Sequence, residues 1–443
     1  MNAGERAGLR TFLLVCIGQN VSLLGSMLTG FGLGVWLYQR TGSATLYGLV
    51  ALANVAPMVL AAPLAGVLID RWDRRRALIV GEAGAGACSL LMAALYLLAA
   101  LDTWAILLCV ALASAFNALS APAFSAATTT LVPAQHLGRA NGLVQFGSAL
   151  SQIVAPAAGG LLLHGVGLTW IFTIDVITFL FSIGVLLAVR IPRPAATAEG
   201  RAGRGPAWQE ALQGFRYLRG RPGLLGLLLF FAAVNFNLGM AEVLVTPLVL
   251  GFADSLVLGT ILSAGGVGML AGSGLMLVWG GPRRRTRAVL GFVLLQGLFL
   301  VVCAARPSAG AVAAGAFGVL FTLPLVAGCS EAMWQRAVPP DLQGRVFSIR
   351  STIAGASLPL AFLLAGPLCD HVAEPLLAEK GLLASSVGRI LGTGPGRGAA
   401  LLFIFLGGLT VVSVAVGYFY PSLRKLDEEL LASPTVPLPD PGR

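Results

Sequence analysis

The stretch that decides the fold is Gly66-Val-Leu-Ile-Asp70-Arg71-Trp72-Asp73-Arg74-Arg75-Arg76, a short charged loop between two long apolar runs. The run before it, 46–69, carries no charged residue, and the run after it, 77–100, carries only Glu82. Each run is long enough to cross a bilayer as a helix, which takes about 20 residues. A loop this short makes the two helices antiparallel neighbours. Its arginines predict a cytoplasmic location, because positively charged loops are retained on that side.

The composition excludes an ordinary soluble protein. Of the 443 residues, 57% are hydrophobic and 11% are charged, whereas a soluble domain carries about 25% charged residues. Lipid can solvate this surplus of apolar surface, so we expect membrane lipid around the chain. The formal net charge is +10, but the basic residues lie in short loops rather than on one face. We therefore expect no nucleic-acid partner.

Twelve apolar runs are long enough to span a membrane. They predict an all-α integral membrane protein with two six-helix bundles, 1–189 and 223–422, whose helices cover approximately 11–38, 46–69, 77–100, 103–126, 142–164, 167–189, 223–250, 256–280, 287–305, 308–334, 347–370 and 398–420. The glycine-rich stretch 381–398 is predicted to be a loop. Because the first run is too long for a signal peptide, we expect it to be retained as a helix.

The basic residues also predict the orientation. When alternate loops are assigned to opposite sides, only five of the 29 Lys and Arg residues fall outside: Arg40, Arg306, Lys380, Arg389 and Arg397. The reverse orientation would invert this ratio. We therefore expect both termini in the cytoplasm and a multi-pass location in a bacterial cytoplasmic (inner) membrane.

An internal repeat relates the two bundles. Val132-Pro133 with Gly138-Arg139 precedes the fifth run, and Val338-Pro339 with Gly344-Arg345 precedes the eleventh, at an offset of 206 residues. Gly160 and Gly366 keep the same offset. A parallel repeat of six helices predicts a pseudo-two-fold axis along the membrane normal.

Polar segments join and follow the bundles. In the linker, 190–222, Trp208, Leu212, Phe215 and Leu218 recur at helical spacing, which predicts an amphipathic helix on the cytoplasmic surface. An unstructured basic linker is the alternative. The segment 423–443 is Pro-rich near its end, and we expect a disordered cytoplasmic tail.

Several motifs resemble one transporter family. The Gly66–Arg75 spacing resembles the loop between helices 2 and 3 of the major facilitator superfamily. Four further motifs look like the macrolide-efflux type of drug–proton antiporter in that superfamily: 19–26, 40–43, 174–179 and 344–348. The siderophore-exporting branch is close to the same pattern. The resemblance implies a twelve-helix fold and transport of a small molecule in exchange for protons.

The loop residues Gly66, Asp70, Arg71 and Arg74 are candidates for a cytoplasmic gate. The charge of Asp70 can meet the positive N-terminal end of a helix in the other bundle, and the arginines can pair with carboxylates there. Such contacts would close the cytoplasmic side in one state and break in the other. Simple anchoring of the loop is the alternative. Asp73 stands where the family has a glycine.

The fifth helix resembles the antiporter signature of the family through Pro156, Gly159 and Gly160. Small residues allow close helix packing and proline introduces a kink. In relatives this feature accompanies export. Generic helix packing is the alternative interpretation.

Three carboxylates within apolar runs are candidates for proton coupling: Glu242, Asp175 and Glu82. A charge costs about 2.5–3.5 kcal/mol at the centre of a lipid-exposed helix, so such groups face the protein interior or water. Glu242 is the preferred candidate, because Asn235 and Asn237 lie near it in an otherwise apolar helix. A purely structural role is the alternative for each. The arginine that drug antiporters often carry in helix 4 is absent from 113–117.

Neutral polar residues within the helices are candidates for lining a substrate cavity: Asn20, Asn54, Asn117, Gln145, Asn235 and Asn237. They could instead bond to neighbouring helices. The three histidines lack ligand spacing and the six cysteines lack a C-x-x-C pair, so we assign no metal and no cofactor, and we interpret the cysteines as packing residues.

These features predict a monomeric secondary transporter that exports a lipophilic or amphipathic small molecule, drug- or macrolide-like, by proton antiport with alternating access. A siderophore exporter and a lysophospholipid flippase are alternatives on the same scaffold, and a nutrient importer is another. A membrane-embedded enzyme is not expected, because no catalytic constellation is clustered at one membrane face.

Overall fold

A computed structural model describes residues 3–71, 73–133, 137–191, 216–282, 284–338 and 340–423. Twelve long helices cover most of these residues: α1 Ala3–Thr41, α2 Ala44–Arg71, α3 Arg74–Leu97, α4 Thr103–Leu131, α5 Leu137–Gly165, α6 Leu168–Ala188, α7 Pro222–Leu250, α8 Ser255–Trp279, α9 Arg285–Ala304, α10 Ala309–Ala337, α11 Pro340–Leu368 and α12 Arg397–Phe419. Each contains a stretch long and apolar enough to cross a membrane. The predicted all-α, twelve-helix architecture is confirmed.

Aspartates begin several of the helices. The carboxylate of Asp73 accepts the backbone N–H of Arg75 at 2.9 Å and begins α3. Asp102 and Asp254 cap α4 and α8 in the same way, at 2.8 and 2.9 Å. A capping carboxylate satisfies a backbone donor that has no partner within the helix and favours the positive helix end. The departure from the family pattern at Asp73 therefore has a local structural reason.

The long helices alternate in direction, which gives the molecule two ends. The first residues of α1 and the last residues of α12 lie at one end, called here the terminal side, and the opposite end is the distal side. Odd-numbered helices run from the terminal side to the distal side. The outer surface is apolar, as the exposure of Leu277 (86%) and Val278 (88%) illustrates, and an apolar surface of this kind suits contact with lipid.

The halves of the molecule, α1–α6 and α7–α12, share one buried cluster. Val35 and Ala44 of the first half pack in it with residues such as Val243, Leu248 and Phe362 of the second. The other three buried clusters, within the part of the chain that the structure describes, each belong to one half. The shared cluster lies toward the distal side, so the halves are joined there.

The end of α11 differs from the prediction. The helix was expected to end near residue 370, but a π-helical turn, Cys369–Ala373, and a short helix, Glu374–Leu377, continue it. Pro367 lies just before this turn and removes a backbone donor from the regular ladder, which accounts for the change in winding. The glycine-rich 381–398 segment is mainly loop, as predicted, with one short helix at Gly388–Leu391.

Other expectations fall partly outside the described residues. Most of the predicted amphipathic helix lies within 192–215, and nearly all of the predicted tail lies within 424–443, so both stay predictions. Residues 216–219 are helical, and Leu218 among them is buried. All six cysteines are buried and free, which agrees with their interpretation as packing residues.

Candidate transport site

Glu82 of α3 is buried and hydrogen-bonded to one face of α1. Gln19 Nε2 donates to Glu82 Oε1 at 2.8 Å, and Ser22 Oγ donates to Glu82 Oε2 at 2.7 Å. Gln19 also donates to Ser182 Oγ of α6 at 3.1 Å. Glu82 is only 4% exposed. Hydrogen bonds to both oxygens offset much of the cost of burying this carboxyl group.

Asp175 of α6 lies farther along the same interface. Its Oδ2 accepts a hydrogen bond from Ser89 of α3. Its Oδ1 has no partner among the described residues, and a β-carbon at Gly25 of α1 would lie 2.9 Å from that oxygen. Gly25 therefore leaves room for the carboxyl group of Asp175 at the surface of α1.

The carboxylates of Glu82 and Asp175 thus lie against one face of α1. Gln19, Ser22 and Gly25 follow one another at spacings of three on α1, which places them on one side of the helix. Sequence reasoning found Glu82 and Asp175 but missed their serine partners. Serine within a membrane helix commonly bonds to its own backbone, so the sequence carries no signal that singles these serines out.

Glu242 of α7 occupies a different environment. It is exposed, although its neighbours Ala241 and Val243 are buried. Phe231, Asn235 and Leu238 line a cavity in the second half, and Glu242 continues their helical spacing of four, three and four residues. The carboxylate therefore lies on the face of α7 that these cavity residues share.

The predicted cavity amides lie in different surroundings. Asn235 lines the cavity of the second half. Asn237 is 1% exposed and donates to Thr410 of α12 at 3.1 Å. Its amide therefore links α7 to α12 by a hydrogen bond. Asn20 donates to the carbonyl of Cys16 at 2.8 Å and packs against Gly147 of α5. The remaining candidates are exposed or half-buried on their helices: Asn54, Asn117 and Gln145.

Asp370 joins the halves at the distal side. Its carboxylate accepts the backbone N–H of Ala44 at 3.0 Å, the N–H of Thr45 at 2.8 Å and the hydroxyl of Ser43 at 2.8 Å. These donors form the N-terminal end of α2. The π-helical turn after α11 carries Asp370, so a carboxylate of the second half caps a helix of the first. Sequence analysis did not single out this residue.

Close packing of glycines accompanies this contact. A β-carbon at Gly366 of α11 would lie 2.3 Å from Thr45 Cα, and one at Gly160 of α5 would lie 2.5 Å from the Ser255 carbonyl oxygen of α8. The sequence repeat paired these two glycines at an offset of 206, and both lie where helices of opposite halves meet. On the same side, His164 Nδ1 lies 3.6 Å from Asp254 Oδ2. We call these contacts, including that of Asp370, the distal seam.

The predicted gate is only partly described. Gly66, Asp70 and Arg71 belong to α2, but their side chains lie outside the described part of the structure. Arg74 donates to Thr130 of α4. Arg75 donates to the carbonyls of Leu186 and Leu187, both at 2.6 Å, at the end of α6. These contacts of Arg74 and Arg75 lie within the first half.

Comparisons with known proteins identify the family. Residues 15–362 match the Major Facilitator Superfamily. Macrolide efflux protein A of Streptococcus pyogenes is 25% identical over 368 residues, which cover 82% of this chain and 90% of that protein. Multidrug efflux pump Tap of Mycolicibacterium fortuitum is 26% identical over 365 residues, which cover 79% and 88%.

Solved structures agree on the fold. A bacterial homologue of the human lysosomal transporter Spinster, in an inward-facing and unoccupied conformation, superposes with a TM-score of 0.72 and 13% identity, covering 98% of this chain and 100% of that one. The peptide transporter POT in complex with sulfate gives a TM-score of 0.67 and 11% identity, covering 96% and 99%. The chain is a multi-pass membrane transporter that belongs to the major facilitator superfamily.

Proposed function

We propose that this transporter exports a lipophilic or amphipathic small molecule, macrolide-like or a related drug, in exchange for protons. The efflux proteins named above cover most of the chain at modest identity, which supports the direction and the substrate class. The proposal places the protein in the cell membrane with both termini in the cytoplasm, so the terminal side is the cytoplasmic side.

The position of Glu242 is the observation that carries the proposal. A proton antiporter needs a carboxyl group that protons and substrate both reach. Protonation of this group must oppose substrate binding, and substrate binding must oppose protonation. Glu242 is exposed and shares a helix face with cavity residues. We assign it the exchangeable proton: substrate binds after the proton leaves to the cytoplasm and is released when a proton returns from outside.

Glu82 and Asp175 have a supporting role in this proposal. Both are almost fully buried between α1, α3 and α6, away from the face that carries Glu242. The hydrogen bonds of Glu82 hold α3 against α1, and that of Asp175 holds α6 against α3. A change of protonation there would alter the packing of these helices. We assign to these two carboxylates the role of holding α1, α3 and α6 together in the bundle of the first half.

The distal seam supports alternating access. The halves are joined at the distal side by a shared buried cluster and by Asp370 on α2. This arrangement corresponds to a transporter closed to the outside. We propose that the seam opens for release and that Asp70, at the other end of α2, then makes the equivalent contact with the start of α11. We assign to this second closure Gly66, Arg71 and Arg74. We assign the role of a hinge within α5 to Pro156, Gly159 and Gly160.

Transport by purified protein in proteoliposomes tests the function. A labelled 14-membered macrolide, a catecholate siderophore, a lysophospholipid and a sugar are each offered with and without an imposed proton gradient. We expect gradient-driven movement of the macrolide, in the direction opposite to protons. Transport of only the siderophore or the lysophospholipid would replace the substrate assignment. Macrolide movement that ignores the gradient would refute proton coupling.

A further inference from the structure

The second half contains a cavity of about 160 Å³ in its terminal-side portion, between α7, α9, α10 and α11. Much of its wall is apolar, and Phe231, Leu238 and Val326 are examples. Asn235 and Arg350 also line it. A cavity of about 150 Å³ is large enough to hold benzene, so this one has room for a six-membered ring.

Three residues that line the cavity each carry a buried polar atom with no hydrogen-bond partner among the described residues: Gln296 Oε1, Ser330 Oγ and Trp334 Nε1. The three residues are 1%, 1% and 0% exposed. Gln296 uses its other amide atom, Nε2, on the Val319 carbonyl at 3.5 Å. Leaving a buried polar group unpaired costs about 1–3 kcal/mol. Three such atoms on residues that line one cavity point to a polar occupant.

The types of atom define the occupant. Trp334 Nε1 can only donate, Gln296 Oε1 can only accept, and the Ser330 hydroxyl can do either. A hydroxyl group matches all three, because it also donates and accepts. A carboxylate would meet the oxygen of Gln296 with no proton to donate.

The charges of the lining favour a neutral occupant. Arg350 Nη1 lies 2.7 Å from Glu331 Oε2, and the guanidinium lies 5.3 Å from the centroid of the Trp334 ring. The cation is therefore matched by an anion at the edge of the cavity. A charged ligand would have to disturb this pair, whereas a neutral one would not.

We infer that this cavity is a subsite for a neutral, hydroxyl-bearing six-membered ring, such as a sugar, carried by the transported molecule. The inference rests on the proposed export function and specifies which chemical group the second half recognises. The apolar remainder of the substrate lies outside the subsite, along the face of α7 that also carries Glu242.

Binding of two related compounds to the protein in lipid nanodiscs tests this subsite. The probes are a labelled 14-membered macrolide with its sugars and the sugar-free macrolactone made from it. The wild type is expected to prefer the glycosylated compound. Ser330→Ala and Gln296→Met should each weaken its binding about three- to tenfold, the effect of losing one hydrogen bond, while binding of the macrolactone stays unchanged. Thr322→Val, which removes an equally buried hydroxyl of α10, should leave both affinities unchanged.

Thermal unfolding without ligand provides a second readout. Ser330→Ala removes a buried hydroxyl that has no partner in the described part of the chain, so the midpoint should stay the same or rise. A lowered midpoint together with equal weakening of both compounds would show a structural role and overturn the inference. Unchanged binding of the glycosylated compound would also overturn it, while leaving the export function intact. Failure of the wild type to bind either compound would refute the macrolide class itself, and the inference with it.

Discussion

At the scale of single residues, Ser22 and Gln19 hold Glu82 in the interior of the first half. Each donates a hydrogen bond to one carboxylate oxygen of Glu82. The acidic residues can be predicted from sequence, because a charge inside an apolar run is conspicuous. Their partners cannot, because 60 residues separate Ser22 from Glu82 and nothing in the local pattern of α1 marks the pairing.

The hydrogen bond of Ser22 provides the first prediction. Ser22→Ala removes the donor to Glu82 Oε2 and leaves that buried oxygen unpaired, at a cost of about 1–3 kcal/mol in the free energy of unfolding. Thermal unfolding of the purified protein should show a lower midpoint. Thr173→Ala is the control, because Thr173 is exposed and its hydroxyl donates to the Thr169 carbonyl of its own helix. Equal midpoints for the two variants would contradict the role of Ser22.

Element scale. The helices of opposite halves meet through glycines and through one carboxylate. The internal repeat could be found from sequence, and it pairs Gly160 with Gly366. The partners of these glycines, Ser255 and Thr45, depend on how the bundles dock. The π-helical turn that carries Asp370 has no sequence signal beyond the preceding Pro367, so this contact could not be predicted.

Alanine at the seam glycines should open the distal side. In Gly160→Ala and Gly366→Ala the new methyl group would lie within 2.5 Å of backbone atoms of the other half, so the helices must separate. Spin labels are attached to cysteines introduced as Arg40→Cys and Lys380→Cys. The distance between the two labels, measured by electron spin resonance, should lengthen. Gly291→Ala is the matched control, because, outside its own turn of helix, no atom of the described residues lies within 4 Å of the added carbon. Short distances in all three variants would contradict the seam.

Neutralising Asp370 tests the electrostatic part of the seam. A carboxylate at a helix N-terminus contributes up to about 2 kcal/mol, so Asp370→Asn should lower the ratio of distal-closed to distal-open molecules about tenfold. The same pair of spin labels measures this ratio. Asp102→Asn changes a cap within one half and should leave it unaltered. A wild-type ratio in Asp370→Asn would show that the carboxylate does not hold the seam.

Whole-molecule scale. The twelve helices could be predicted with bounds close to the observed ones, because bilayer thickness fixes their length. Observed helices often extend further, as at Ala3 and Pro340, since polar residues continue a helix beyond the hydrocarbon region. Which side chains meet inside the bundles depends on helix rotation, which composition does not determine. The cavity of the second half therefore could not be placed from the sequence, although Asn235, which lines it, was among the predicted cavity residues.

The orientation remains a prediction that labelling can check. A cysteine replacing Gly203 in the linker should be protected from a membrane-impermeant maleimide in intact cells, and one replacing Arg389 should react. The six native cysteines are buried and give a low background. Disrupting the cells should expose the linker position and provides the control. Labelling of position 203 in intact cells, with none at 389, would reverse the assigned topology.

Proton-coupled export by Glu242 is the central claim, and one variant tests it most directly. Glu242→Gln imitates the protonated carboxyl group and cannot release a proton. Gradient-driven macrolide uptake and macrolide exchange are measured on the same inverted vesicles, with Glu379→Gln, an exposed loop carboxylate, as the control. We predict that Glu242→Gln loses gradient-driven uptake and keeps exchange, while the control keeps both. Undiminished gradient-driven uptake in Glu242→Gln would contradict the role of Glu242. Asp175 and Glu82 would then be the candidates for carrying the exchanged proton.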